Sequence, residues 1–133
     1  MPAEVLDSFA LIAYFRDEPG AQGMENLLVT AGKKDRPLHM TDVNYAEVKY
    51  SIVKKDGAEA WEEAAKILEG LPIDFHSTTR VLADTAADFK ARFKISLADA
   101  FAAALAKEKK TELVTGDPEF KPLEKEIKIK WLK

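Results

Sequence analysis

Four acidic residues carry the chemistry this chain suggests: Asp7, Glu47, Asp99 and Asp117. Taken singly, each has an ordinary structural explanation, which for Glu47 is a solvated place on a narrow polar stripe. Asp7 follows the apolar run "AEVL" and suits the start of a helix, since aspartate caps helices well. Asp117 precedes Pro118, and Asp-Pro at a helix start is common. Asp99 stands three residues after Ser96 in "SLADAFAAALA" (96–106), close to a capping-box spacing and favourable to the helix dipole. Glu47 differs, because Val43, Ala46, Val48, Tyr50, Ile52 and Val53 leave its helix little polar surface. A carboxylate held there is costly unless a partner or a cation offsets it.

What joins the four is the order of elements that must position them. "AEVLD" (3–7) is expected as a first buried strand, "SFALIAYFRDE" (8–18) as a helix, and "AQGMENLLVTAGKK" as a second helix. "RPLHMT" (36–41) gives a second strand. "TDVNYAEVKYSIVKK" (41–55) and "GAEAWEEAAKILEG" (57–70) form a helical pair broken at Asp56-Gly57. "PIDFHS" (72–77) is a third strand and "TTRVLADTAADFKARF" (78–93) a helix. The Asp99 helix follows, then a strand "TELVT" (111–115), a short helix after "GDPEF", and a last strand "IKIKWL" (127–132). Alternating strands and helices indicate an α/β class, a single domain over 1–133 with a mostly parallel sheet of about five strands. Right-handed crossovers bring all strand C-termini to one edge, where ligands bind in such sheets.

All four carboxylates reach that edge. Gathering them without a cation raises their pKa values. A hard divalent metal resolves this. Oxygen donors without cysteine point to magnesium or manganese rather than zinc.

The composition sets outer bounds. The chain has 133 residues, 47% hydrophobic and 32% charged, with a net charge of −3 and no cysteine. It suits a soluble globular domain, excludes a thiol nucleophile and disulfides, and fits a reducing cytoplasm. No apolar run approaches the roughly 18 residues of a membrane span, and the opening "MPAEVLDS" has no export signal. A cytoplasmic protein without a membrane segment is therefore expected.

"VLDSFALIAYFRDEPG", "TDVNYAEVKY", "ISLADAFAAALAKEKKTELVTGDPEF" and "IKIKWL" resemble the PIN-domain family across essentially the whole chain. Within it they resemble the VapC-type toxins of toxin–antitoxin pairs. The resemblance implies a three-layer α/β/α sandwich and a divalent-metal-dependent endoribonuclease. It also implies inhibition by a small VapB-type antitoxin, and commonly a homodimer. It maps the family's acidic quartet onto Asp7, Glu47, Asp99 and Asp117. Thr115 falls on the small hydroxyl position before Gly-Asp, and Asn44 on a polar position one turn before the glutamate.

Hydrolysis of an RNA phosphodiester needs an activated water and charge neutralisation, both of which bound metal supplies. Asp7 and Asp99 are expected as direct ligands. Asp117 either completes that shell or holds its water-mediated side. Glu47 either ligates a second metal or orients the attacking water. RNA also needs cationic contacts, for which Arg16, Arg80, Lys90, Arg92 and Lys94 are the candidates. "KEKK" (107–110) and the lysines near the C-terminus are expected at the opposite edge or on outer faces. His39 and His76, both at strand ends, are read as structural. Tyr14, Phe15, Leu27 and Leu28 are either core or a docking face.

Two rival readings remain. A haloacid-dehalogenase-like phosphatase wants a second aspartate two residues after the first, where this chain has Phe9. A metal-binding or interaction module of the same fold with little turnover is opposed by the intact quartet.

Overall fold

The computed structural model describes residues 3–133. Five strands, β1 (Val5–Leu6), β2 (Leu38–Thr41), β3 (Ile73–His76), β4 (Leu113–Thr115) and β5 (Ile129–Trp131), form one sheet in the order β3-β2-β1-β4-β5. Every pairing is parallel. The helices are α1 (Ser8–Arg16), α2 (Ala21–Lys33), α3 (Asp42–Asp56), α4 (Ala58–Glu69), α5 (Arg80–Arg92) and α6 (Leu97–Lys109), with a 3-10 helix over Pro118–Lys125.

The layers follow from side-chain alternation along the strands. Val5 and Leu113 point into a core shared with α5, α6 and the 3-10 helix. Leu6 and Val114, one residue on, point into the core beneath α1 to α4. The result is the expected α/β/α sandwich. Among its small residues α6 buries Ala100, Ala102, Ala103, Ala104 and Ala106, none more than 1% exposed, so its backbone lies close on the sheet. Leu28 is buried in the α1–α4 core, and Tyr14, Phe15 and Leu27 pack against it while keeping part of their surface exposed.

Strand order fixes the position of the site. β1 is first in sequence yet central, with β2 on one side and β4 on the other. That is the switch point beside which sheets of this kind bind ligands. The register pairs Leu6 with Val114, and the Asp7 amide donates to the Val114 carbonyl at 3.3 Å. Asp7 and Thr115 therefore leave the sheet side by side.

Some boundaries differ from the sequence expectation. β1 holds only Val5–Leu6, and Asp7 lies outside it as the N-cap of α1. The short helix starts at Pro118, inside "GDPEF" rather than after it, and takes 3-10 form. Pro122 within it has no N–H to donate, which disfavours a regular α-helical ladder there. His39 and His76 meet each other, Nδ1 to Nε2 at 2.8 Å, across the β2–β3 pair. Burial first, then the neighbouring His76, holds His39 below the usual histidine range. Among the described residues, no helix is long and apolar enough to cross a membrane.

Candidate metal centre

Asp7, Asp99 and Asp117 are each placed by a helix start, and Glu47 stands inside α3. Asp7 caps α1, its Oδ1 accepting from the Ala10 amide at 2.9 Å. Its other oxygen, Oδ2, accepts a short hydrogen bond from the Thr115 hydroxyl. That same hydroxyl oxygen accepts from the Asp117 amide at 3.0 Å, so Thr115 ties both aspartates together. Asp117 caps the 3-10 helix, its Oδ1 accepting from the Glu119 amide at 2.9 Å. Asp99 lies in the first turn of α6, where its amide donates to the Ser96 hydroxyl at 3.1 Å.

Asn44 joins three elements around this edge. Its amide nitrogen Nδ2 donates to the Ser8 hydroxyl at 3.0 Å and to the Ala98 carbonyl at 3.1 Å. Its Oδ1 accepts from the Thr41 hydroxyl at 2.5 Å, and its backbone amide returns a bond to that oxygen at 2.9 Å. Asn44 and Thr41 are fully buried, so each polar atom must find its partner inside the protein. Asn44 thereby fixes the starts of α1, α3 and α6 relative to one another. It touches no carboxylate in doing so.

Oxygens of Asp99, Asp117 and Glu119 lie within 4.8 Å of one another. Glu119 was not among the sequence candidates. Its signal was the two-residue step from Asp117, which a 3-10 start turns back toward the same opening. Asp7 and Glu47 stand outside this tight trio but share its electrostatic field. Asp7 is pushed up to about 8, by burial first and then by the charges of Asp99 and Asp117, against the Thr115 and Ala10 hydrogen bonds. Asp99 is pushed up to about 6, by burial first, then by Asp117, Glu47 and Glu119, with Ser96 opposing. Glu47 is half-buried, and Tyr50 donates to its Oε2 at 3.5 Å.

No described lysine or arginine forms an ion pair with any of these carboxylates. Buried anions without a cation are held at a cost. An all-oxygen donor set with this deficit fits a hard divalent ion such as magnesium or manganese.

The basic candidates separate into two groups. Arg16 pairs with Glu18 and, at 2.6 Å, with Asp56, at the far ends of α1 and α3 from the caps that open the site. Arg92 forms two bonds to Glu126, at 2.5 and 2.9 Å, and lies over Phe89 and Phe93. Phe89 also carries Lys107 from the last turn of α6, the end remote from Asp99. Arg16 and Arg92 thus already have acidic partners, and exposed Lys90 shares the last turn of α5 with Arg92. Arg80, the first residue of α5 beyond β3, and Lys94, two residues before the α6 cap, are exposed and form none of these ion pairs. At the opposite edge a cavity of about 1050 Å³ is lined by Lys107, Lys110, Lys128, Lys130 and Lys133, among others. Lys107 and Lys110 of the "KEKK" segment, with Lys128, Lys130 and Lys133, thus lie at that edge and not at the carboxylates.

The PIN domain family model matches residues 5–126, and the chain belongs to that family. Solved structures share the fold over nearly the full length. VapBC2 from Rickettsia felis, bound to a DNA fragment from their promoter, is similar with a TM-score of 0.80 at 15% identity, over 98% of this chain and 99% of that one. VapC20 from Mycobacterium tuberculosis, a Sarcin-Ricin loop cleaving toxin, gives 0.72 at 16% identity over 91% and 95%. DNA-bound VapBC from Salmonella typhimurium gives 0.70 at 16% identity over 98% of each chain. A search of curated proteins finds no match.

Proposed function

We propose that this protein is a divalent-metal-dependent endoribonuclease that acts as the toxin of a type II toxin–antitoxin pair. The observation that carries the reading is the convergence of Asp7, Asp99, Asp117 and Glu119, with Glu47 beside them, at the switch point of a PIN fold. The likeness to VapBC complexes supports a VapB-type antitoxin as partner, and a homodimer belongs to the same reading.

Asp7, Asp99 and Asp117 would hold the metal, with Glu119 and Glu47 at its margin. When bound, magnesium or manganese supplies Lewis acidity, lowering the pKa of water and offsetting charge on phosphoryl oxygens. The chain's own residues do the rest. Thr115 and the Ala10 amide keep the Asp7 carboxylate oriented and favour its ionised form. Glu47, half-buried and felt by Asp99 as a neighbouring charge, would ligate a second metal or orient the attacking water. Arg80 and Lys94 offer phosphate contacts from the rim.

Expression in a bacterial host tests the biological half of this reading. Wild type is expected to arrest growth, and RNA from arrested cells to carry new cleavage ends. Asp7→Asn is expected to do neither. Growth unaffected by wild type at comparable protein levels overturns the toxin assignment.

A further inference from the structure

Phe9 is left unused by the acidic site, yet it stands beside it. It follows Asp7 by two residues, in the first turn of α1, and remains 40% exposed despite its size. Its ring lies against Gly116, the residue between Thr115 and Asp117, and a Cβ added at Gly116 would overlap the ring. The absence of a side chain at position 116 is therefore what admits the ring to this loop. The backbone on either side of Phe9 is also fixed. Asp7 caps the helix through the Ala10 amide, and the Ser8 hydroxyl donates to the Asn44 carbonyl at 3.2 Å. The ring is braced against the loop that carries Asp117, while part of its surface stays in solvent.

A braced, half-exposed aromatic beside a phosphate-directed centre has an obvious complement in RNA. Unpaired bases stack on aromatic side chains, and a platform already held in place spends little entropy on binding. We propose that Phe9 is a substrate-positioning residue that stacks an unpaired nucleobase of the RNA strand and so sets a neighbouring phosphate at the carboxylates. This rests on the ribonuclease reading and adds to it a requirement for single-stranded substrate. Stacking tolerates any base, so the preference it creates is for an unpaired base rather than for one sequence.

The test is binding of a short single-stranded RNA, measured by fluorescence anisotropy with calcium in place of the activating metal. A series of the same RNA carries one abasic position moved along the strand. Wild type is expected to lose about tenfold in affinity when the missing base is the stacked one. Phe9→Leu, which keeps an apolar side chain against Gly116, should bind intact RNA about tenfold more weakly and ignore the abasic position. Phe9→Trp should restore both affinity and abasic sensitivity. The abasic series on wild type is independent of whether a variant folds. If wild type binds intact RNA and every abasic RNA equally, the Phe9 proposal is overturned and the ribonuclease reading stands. Equal RNA affinity of wild type and Phe9→Leu likewise overturns it and returns the ring to a protein-facing surface. Failure of wild type to bind any RNA overturns both.

Discussion

Thr115 and Asp7 are 108 residues apart in sequence, and the Thr115 hydroxyl donates directly to the Asp7 carboxylate. The parallel register of β1 and β4 makes this meeting unavoidable, because each residue directly follows the Leu6–Val114 pair. Thr115 then accepts from the Asp117 amide, so one hydroxyl organises two acids. Thr115→Val keeps the volume and removes both bonds. A buried group deprived of its partner typically costs about 1–3 kcal/mol. Without the donor, Asp7 ionises less readily and metal affinity should fall by about tenfold or more at neutral pH. Thr115→Ser should stay near wild type. Calorimetric titration with manganese distinguishes the two, and equal affinity for all three proteins would remove Thr115 from the centre.

Asn44 makes a different prediction, since it holds helices rather than ligands. Asn44→Ala leaves the Ser8 and Thr41 hydroxyls and the Ala98 carbonyl short of a partner. Stability of the metal-free protein should fall by roughly 2–3 kcal/mol, from more than one orphaned buried group. Urea denaturation measures this directly. A loss below about 0.5 kcal/mol, the usual range of surface substitutions, would mean the network carries little.

The raised carboxylate pKa values set a pH dependence whose sign is definite. Asp7 at about 8 and Asp99 at about 6 both lie above their unfolded value of 3.8. The folded, metal-free protein thus holds protons that the unfolded chain releases. Stability from these groups is fully present below 3.8 and is lost as pH rises, through about 6 for Asp99 and about 8 for Asp7. Each titrating group gives a slope of up to about 1.4 kcal/mol per pH unit. Denaturation in chelator across pH 4 to 9 should show the decline, steeper in its lower half. Saturating magnesium should offset it at the upper end, because the ion binds the ionised form. Metal-free stability that rises over this window would contradict the electrostatic account.

RNA binding across salt concentrations, read beside cleavage, sorts the basic residues. Arg80→Ala and Lys94→Ala should weaken RNA binding and flatten its salt dependence, as loss of a phosphate contact does. Arg92→Ala and Arg16→Ala should leave RNA cleavage unchanged, since Glu126 and Asp56 already engage these side chains. Activity lost on Arg92→Ala without loss of folding would reverse that division.

These contrasts also show how far the sequence could be read. The meeting of Asp7, Asp99 and Asp117 at one sheet edge was legible because each stands at a helix start beside the parallel sheet, where periodicity and capping chemistry agree. The Ala-rich stretch of α6 likewise announced close packing. The ion pairs of Arg16 and Arg92 were not legible, because proximity in sequence says nothing of where a long side chain ends. Asp56 and Glu126 are distant in sequence and claim them. Glu119 escaped notice because its approach to Asp99 depends on the 3-10 turn after Asp117, which Pro118 and Pro122 favour but apolar periodicity does not register. The His39–His76 contact was hidden for the same reason, since it needs the β2–β3 register.

The central claim is that these carboxylates work as one metal-dependent centre on RNA. Its most direct test compares wild type, Asp7→Asn and Asp99→Asn on a mixed RNA pool, with magnesium or manganese and with chelator. The account expects cleavage by wild type only, abolished by chelator and restored by added metal. Equal cleavage by all three proteins, or cleavage by wild type that persists in chelator, would contradict it.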